Sequence, residues 1–201
     1  MGRGKKRTSP ISATELMAQL EKDEEFQRKR KIREEALSAR AAELTAAEQP
    51  IVRDLRASGV AVDSVWDLVG AATPYPDALP VLMHHLEVGG YPDRVAESLG
   101  RALAVKPSII FWSRLEKLYL SSRSRGEREG AAIALAAVAG PEQTDNLIAF
   151  LRTPELAETR IYFVSPLLRI GGQTGRKFVE SIAEDPVLGK EATLRLSRKR
   201  R

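Results

Sequence analysis

The stretch of this chain nearest to a chemical motif is Gly171-Gly172-Gln173-Thr174-Gly175-Arg176-Lys177. Glycines followed by lysine can cradle phosphate, because backbone N–H groups converge on the anion and the ammonium neutralises it. Here no Ser or Thr follows the lysine, and a helical segment, not a strand, precedes the glycines, so the stretch reads as an inter-helix turn. His84 and His85 are the only histidines. Adjacent residues project about 100° apart on a helix and cannot form the i,i+4 pair that grips a metal. One is expected at a packing edge and the other in solvent. The absence of cysteine excludes disulfides, thiolate metal sites, iron–sulfur clusters and cysteine nucleophiles. Nucleophiles of the Ser, Thr, Lys and carboxylate types stand in no recognisable catalytic context. Trp66 and Trp112 lie among leucines and valines at helical spacing and are expected in the core. No catalytic residue, metal ligand or cofactor site is assigned, and the expectation is a protein that is not an enzyme.

The chain has 201 residues, of which 43% are hydrophobic and 29% charged, a balance that fits a soluble globular protein. No apolar run approaches the roughly 20 residues of a membrane helix, and the basic start is followed by Thr8-Ser9-Pro10 instead of a secretory apolar stretch. A cytoplasmic location is the expectation. The abundance of Ala and Arg suits a bacterial source with a GC-rich genome. The net charge of +5 is concentrated at the ends. Residues 1–10 carry Arg3, Lys5, Lys6 and Arg7 with no acid, and residues 195–201 carry five basic groups, including Arg198, Lys199, Arg200 and Arg201. Everything between is slightly acidic, which weakens the case for a phosphate-tracking body.

Helical periodicity runs through the body: Leu79, Leu82, Met83 and Leu86 fall at i, i+3, i+4 and i+7, and Phe111, Leu115 and Leu118 follow the same rule. Pro76, Pro92, Pro107, Pro141, Pro154 and Pro186 stand at or just before apolar runs, where a missing N–H costs a helix nothing. Their spacing of about 13–16 residues suits short helices joined by tight turns. Ser122–Gly126 and Gly171–Gly175 fill the two missing beats. Alternate segments are rich in small residues. Superposing them aligns Leu99 with Ala134, Val164 and Leu194, and Leu103 with Val138 and Leu168, at an offset of about 30–35 residues typical of helical-pair repeats.

Pro92-Asp93-Arg94-Val95-Ala96-Glu97-Ser98-Leu99-Gly100-Arg101-Ala102-Leu103 resembles the second helix of a HEAT repeat, and residues 77–88 resemble the matching first helix. Residues 127–140 keep the small-residue pattern, while the unit at 142–170 keeps Arg160 but places Pro166 inside its second helix, which predicts a kink. The resemblance, over residues 74–194, implies an all-α, right-handed α-solenoid of HEAT-like helical pairs. It is silent on activity, because such arrays serve unrelated functions. Base-excising or bilin-attaching enzymes share this type of scaffold, but the aromatic cleft and carboxylate cluster they need are not evident here.

Ahead of the repeats, residues 1–10 read as a disordered basic tail and 11–49 as a long charged helical arm capped by Ser12 or Thr14. The spacings Glu24–Arg28, Glu25–Lys29, Arg30–Glu34 and Lys31–Glu35 support a solvated helix and build no core. Residues 50–73 read as short helices that cap the first repeat, and 195–201 as a basic C-terminal tail. If second helices line the concave side, as the resemblance implies, Arg94, Glu97 and Arg101 face outward from one repeat and Glu158, Tyr162 and Arg169 from another. Tyr and Arg are favoured interface anchors. The expectation is a non-catalytic HEAT-repeat scaffold or adaptor that holds an unidentified protein partner on this surface and needs no cofactor. The alternative is a nucleic-acid- or ribosome-associated protein, whose basic ends bind phosphates weakly and without sequence preference.

Overall fold

The computed structural model describes residues 11–198, with ten α-helices and no strand among them. The chain divides into two units, residues 1–43 and residues 44–201. The basic residues Arg3, Lys5, Lys6, Arg7, Lys199, Arg200 and Arg201 lie outside the described residues.

In the first unit, α1 (Ala13–Lys22) starts at Ser12, whose hydroxyl accepts from the Glu15 N–H while the Glu15 carboxylate accepts from the Ser12 N–H. This reciprocal cap satisfies two donors that the first turn leaves without partners. Asp23 then breaks the expected single helix: it leaves helical geometry and caps α2 (Glu24–Ala57) through the Phe26 N–H at 3.0 Å. Three of the anticipated ion pairs close on α2, Glu25–Lys29 at 2.6 Å, Arg30–Glu34 at 2.8 Å and Lys31–Glu35 at 3.9 Å. No described residue of this unit is buried, so its helices rest on local spacing and caps.

In the second unit, α2 does not stop near Glu48 as the sequence suggested. It runs through Pro50 to Ala57. Pro50 and Ala46, whose carbonyl loses its donor, are both exposed, so water can serve that carbonyl. Just beyond, Ile51, Val52 and Leu55 are fully buried and hold the helix in place. The buried Glu48 carboxylate accepts from the Val65 N–H at 2.8 Å and the Ser64 hydroxyl at 3.1 Å, fastening a 3-10 turn over Val65–Leu68. Trp66, on this turn, is not a core residue. The residue is 38% exposed, and the Arg94 guanidinium lies over its ring, 5.4 Å from the centroid.

Helical pairs follow: α3 (Ala78–Val88) with α4 (Asp93–Ala102), then α5 (Trp112–Ser121) with α6 (Arg125–Val138). Next come α7 (Thr144–Leu151), a 3-10 segment at Pro154–Phe163, α8 (Val164–Ile170), α9 (Gly172–Ser181) and α10 (Gly189–Arg198). Proline marks the starts of α4 and of the 3-10 turns at 106, 141 and 154, and Ser124 caps α6 by accepting from the Glu127 N–H. The kink expected at Pro166 is absent, because the helix begins two residues before it and the proline sits in the first turn. The break lies upstream instead, at Ala157, whose φ of 49° and ψ of −132° interrupt the 3-10 segment. Leu194 is exposed, and Leu188, Ala192 and Leu196 supply the apolar face of this last stretch, so the fourth position of the sequence superposition is out of register. Arg195 is likewise no tail residue, since it pairs with Glu191 at 2.5 Å on α10.

The core runs through the second unit along Leu82, Met83, Leu99, Leu103, Leu115, Leu135, Leu147 and Leu167. At its centre the rings of Tyr119, Phe150 and Phe163 meet with centroids 5.0 to 5.2 Å apart, and half-buried Trp112 stacks on Phe150 at 6.5 Å. Such aromatic contacts each add about 0.5–1.5 kcal/mol beyond simple burial. Burial pushes the Tyr119 phenol up to about 12, so it stays protonated opposite the Thr159 hydroxyl. Arg160, only 5% exposed, donates to the carbonyls of Leu151 and Ala157 and lies 3.6 Å from Asp185. It thereby ties the end of α7 to the broken 3-10 segment and to the turn before α10. Arg160→Leu, which strands these acceptors, is expected to cost about 3 kcal/mol; a denaturant-unfolding midpoint equal to the parent's would refute this role.

Candidate functional site

The outward residues anticipated on the second helices lie on consecutive packed segments. α4 packs on α6, and α6 packs on the 154–163 segment. On α4, Glu97 and Arg101 form an i,i+4 ion pair at 2.6 Å, one turn beyond Arg94 with its Trp66 contact. The Tyr162 hydroxyl donates to Glu129 of α6 at 2.5 Å. Arg169 of α8 donates to the Ala136 carbonyl of α6 at 3.3 Å. Glu158 is exposed and lines a hollow of about 130 Å3 with Arg125, Glu129, Thr159, Ile161 and Tyr162.

Electrostatics join these groups. Burial, then the Glu129 hydrogen bond and charge, push the Tyr162 phenol up to about 12, with Arg101 working against them and Glu97 with them. A phenol with so high a pKa is a persistent donor near neutral pH. The face therefore combines one aromatic donor, carboxylates and arginines, a composition suited to polar contacts with a protein surface. Of the basic ends, Arg198 is exposed at the last residue of α10.

Three cross-links repeat at one interval. Asp93 of α4 accepts from the Gly126 N–H of α6, Glu129 accepts from Tyr162, and Ala136 accepts from Arg169, each across 33 residues. The first helices are bridged in turn by Glu87–Arg114 and by Glu116–Asn146. Lys106 completes the set by reaching the terminal carbonyls of α6, 3.0 Å from that of Ala137.

Among the described residues no group of three His, Asp or Glu side chains could hold a metal ion. In the Gly171–Lys177 stretch, Gly171 joins α8 to α9 and the rest forms the start of α9, with Gly175 packed against Leu167. No described helix is long and apolar enough to cross a membrane. Glu129 and Arg125 were not singled out from the sequence, because their place beside Tyr162 is set by a contact 33 residues away. Compared with known proteins, the chain matches no family model, no curated protein and no solved structure.

Proposed function

We propose that residues 74–194 form a right-handed, HEAT-like α-solenoid and that the chain is a non-catalytic scaffold. It holds a protein partner on the face formed by α4, α6, the 154–163 segment and α8. The observation that carries this reading is the set of cross-links at a constant 33-residue separation. Helical pairs that cannot bury their apolar stripes alone must stack on their neighbours, and stacking repeats contacts at the length of the unit. Arg94, Glu97, Arg101, Glu158, Tyr162 and Arg169 are the contact residues of this reading. The charge distribution favours a second reading, in which the basic ends hold nucleic acid or a ribosomal surface.

One experiment separates them. Gln replaces Arg3, Lys5, Lys6, Arg7, Arg198, Lys199, Arg200 and Arg201, while Arg195 is kept because it is paired within α10. With about six phosphate contacts, parent binding to a single-stranded 30-nucleotide RNA falls by about 300-fold between 50 and 200 mM salt, and the neutralised variant is expected to lose it. A protein captured from nuclease-treated lysate should be retained by that variant and lost by Arg101→Glu combined with Tyr162→Ala and Arg169→Glu. Retention of salt-dependent RNA binding after neutralisation would transfer the phosphate-reading role to the folded face and overturn the scaffold reading.

A further inference from the structure

His85 lies on α3 and is 5% exposed, yet both ring nitrogens have partners from other segments. Its Nε2 is 3.1 Å from Oδ2 of Asp54 near the end of α2, and its Nδ1 is 2.7 Å from the hydroxyl of Tyr91 in the loop between α3 and α4. A carboxylate only accepts, so Nε2 carries the hydrogen in the neutral ring, and Nδ1 is left to accept from the Tyr91 O–H. The partners thereby fix the tautomer. The Tyr91 loop turns through Gly89 and Gly90, with φ of 67° and 80°, and its second tether is the Gly90 N–H donating to Glu127 at 3.2 Å.

We propose that Asp54, His85 and Tyr91 form a pH-responsive clasp, which fastens the end of α2 and the α3–α4 loop to α3 while the imidazole is neutral and loosens on acidification.

Protonation places a hydrogen on Nδ1, so the Tyr91 hydroxyl must rotate from donor to acceptor, and its own hydrogen loses its acceptor. It also puts a cation into a site shielded from water. The groups around the ring divide in sign: Asp54 favours the cation, whereas Arg53, also on α2, and neighbouring His84 oppose it. Burial is the largest influence and holds His85 below its ordinary value of 6.5. Burial, followed by the Asp54 charge, raises the Tyr91 phenol, which keeps its proton for donation.

The sign of the stability effect follows. The unfolded chain takes up a proton at His85 more readily than the folded one, so the contribution is complete above about pH 6.5 and is lost as pH falls below it. The unfolding constant rises by at most about tenfold per pH unit in that window. The other histidine, exposed His84, is the internal control.

The test follows both imidazoles of the full chain by NMR from pH 8 to 4 and measures urea-unfolding midpoints at pH 7.5 and 5.5. His85 is expected to titrate below its ordinary value of 6.5, and the midpoint to drop at the lower pH. Asp54→Asn, which removes the group favouring the cation, should move the His85 titration further down. Tyr91→Phe, which removes the donor to the neutral ring, should move it up. Amide exchange at residues 89–91, corrected for intrinsic rates, should accelerate several-fold at pH 5.5 while that of α7 does not. His84→Gln should leave the pH dependence in place and His85→Gln should flatten it. If His85→Gln does not fold, the opposite shifts of the other two variants carry the test. A His85 titration at or above 6.5 that is indifferent to both substitutions overturns the clasp, as does a midpoint unchanged between the two pH values.

Discussion

Leu99→Asp is expected to leave no folded protein at 25 °C, with helical circular dichroism lost and the chain recovered as aggregate. Leu99 is fully buried on α4, the helix that packs against both α3 and α6. The substitution removes a leucine worth about 2–5 kcal/mol of transfer and cavity terms. It also places a carboxylate where no cation or donor can reach it without opening the α4–α6 interface. Against a total stability of about 5–15 kcal/mol, the two losses together exhaust what a domain of this size holds. Glu97→Ala sits two residues away on the outward face, where it removes the Glu97–Arg101 pair and is expected to cost less than about 1 kcal/mol. A soluble, helical Leu99→Asp protein with a melting point near the parent's would show that α4 packs through a different face.

The contrast between these neighbours was legible in the sequence because it depends on one helix's periodicity. Starts of helices were legible for the same reason. Pro92 before α4 and Ser12, one of two cap candidates before α1, act within four residues of themselves. What the sequence misled about was decided by longer contacts. Pro50 suggested a boundary, but Glu48, Ile51, Val52 and Leu55 are anchored firmly enough to carry α2 through it. Trp66 has the spacing of a core residue, yet its short 3-10 turn offers only one face to the protein and leaves the ring to Arg94. Leu194 aligns in sequence with the buried Leu99, Ala134 and Val164, but the turn at Asp185–Leu188 resets the phase and Leu196 packs instead.

The proposed contact face divides in the same manner. On α4, Glu97 and Arg101 are readable as the complement of an apolar stripe, because one helix defines it, whereas Tyr162 and Arg169 fall on two successive elements, a broken 3-10 segment and α8. Glu129 was not readable, since its hydrogen bond to Tyr162 joins separate helical units. The adjacent histidines illustrate both halves. Their different fates, one buried and one exposed, follow from the 100° step of a helix. The Asp54 and Tyr91 partners that give the buried ring its chemistry arrive from α2 and from a loop.

Gly100→Val is expected to unfold the protein, and Gly100→Ala to destabilise it by about 1–3 kcal/mol or more. Glycine inside a helix is ordinarily a loss, and alanine in its place gains about 0.8–1 kcal/mol. Here the sign reverses, because α4 and α6 touch through their backbones. A Cβ on Gly100 would lie 2.2 Å from the Cα and carbonyl oxygen of Gly130, and one on Gly130 would lie 2.6 Å from the Ala96 carbonyl oxygen. Main chain cannot rotate aside as a flexible side chain can, so the helices must separate and the packing of Leu99 and Leu135 must loosen with them. For a chain of this length, about 3 kcal/mol corresponds to a melting point lower by about 6–12 °C. Thr193→Ala, at an exposed position of α10, serves as the control and should change stability by less than about 0.5 kcal/mol. If Gly100→Ala instead melts at or above the parent's temperature, α4 and α6 do not cross at Gly100 and Gly130. The Asp93–Gly126 link would then be left without the close backbone approach beside it.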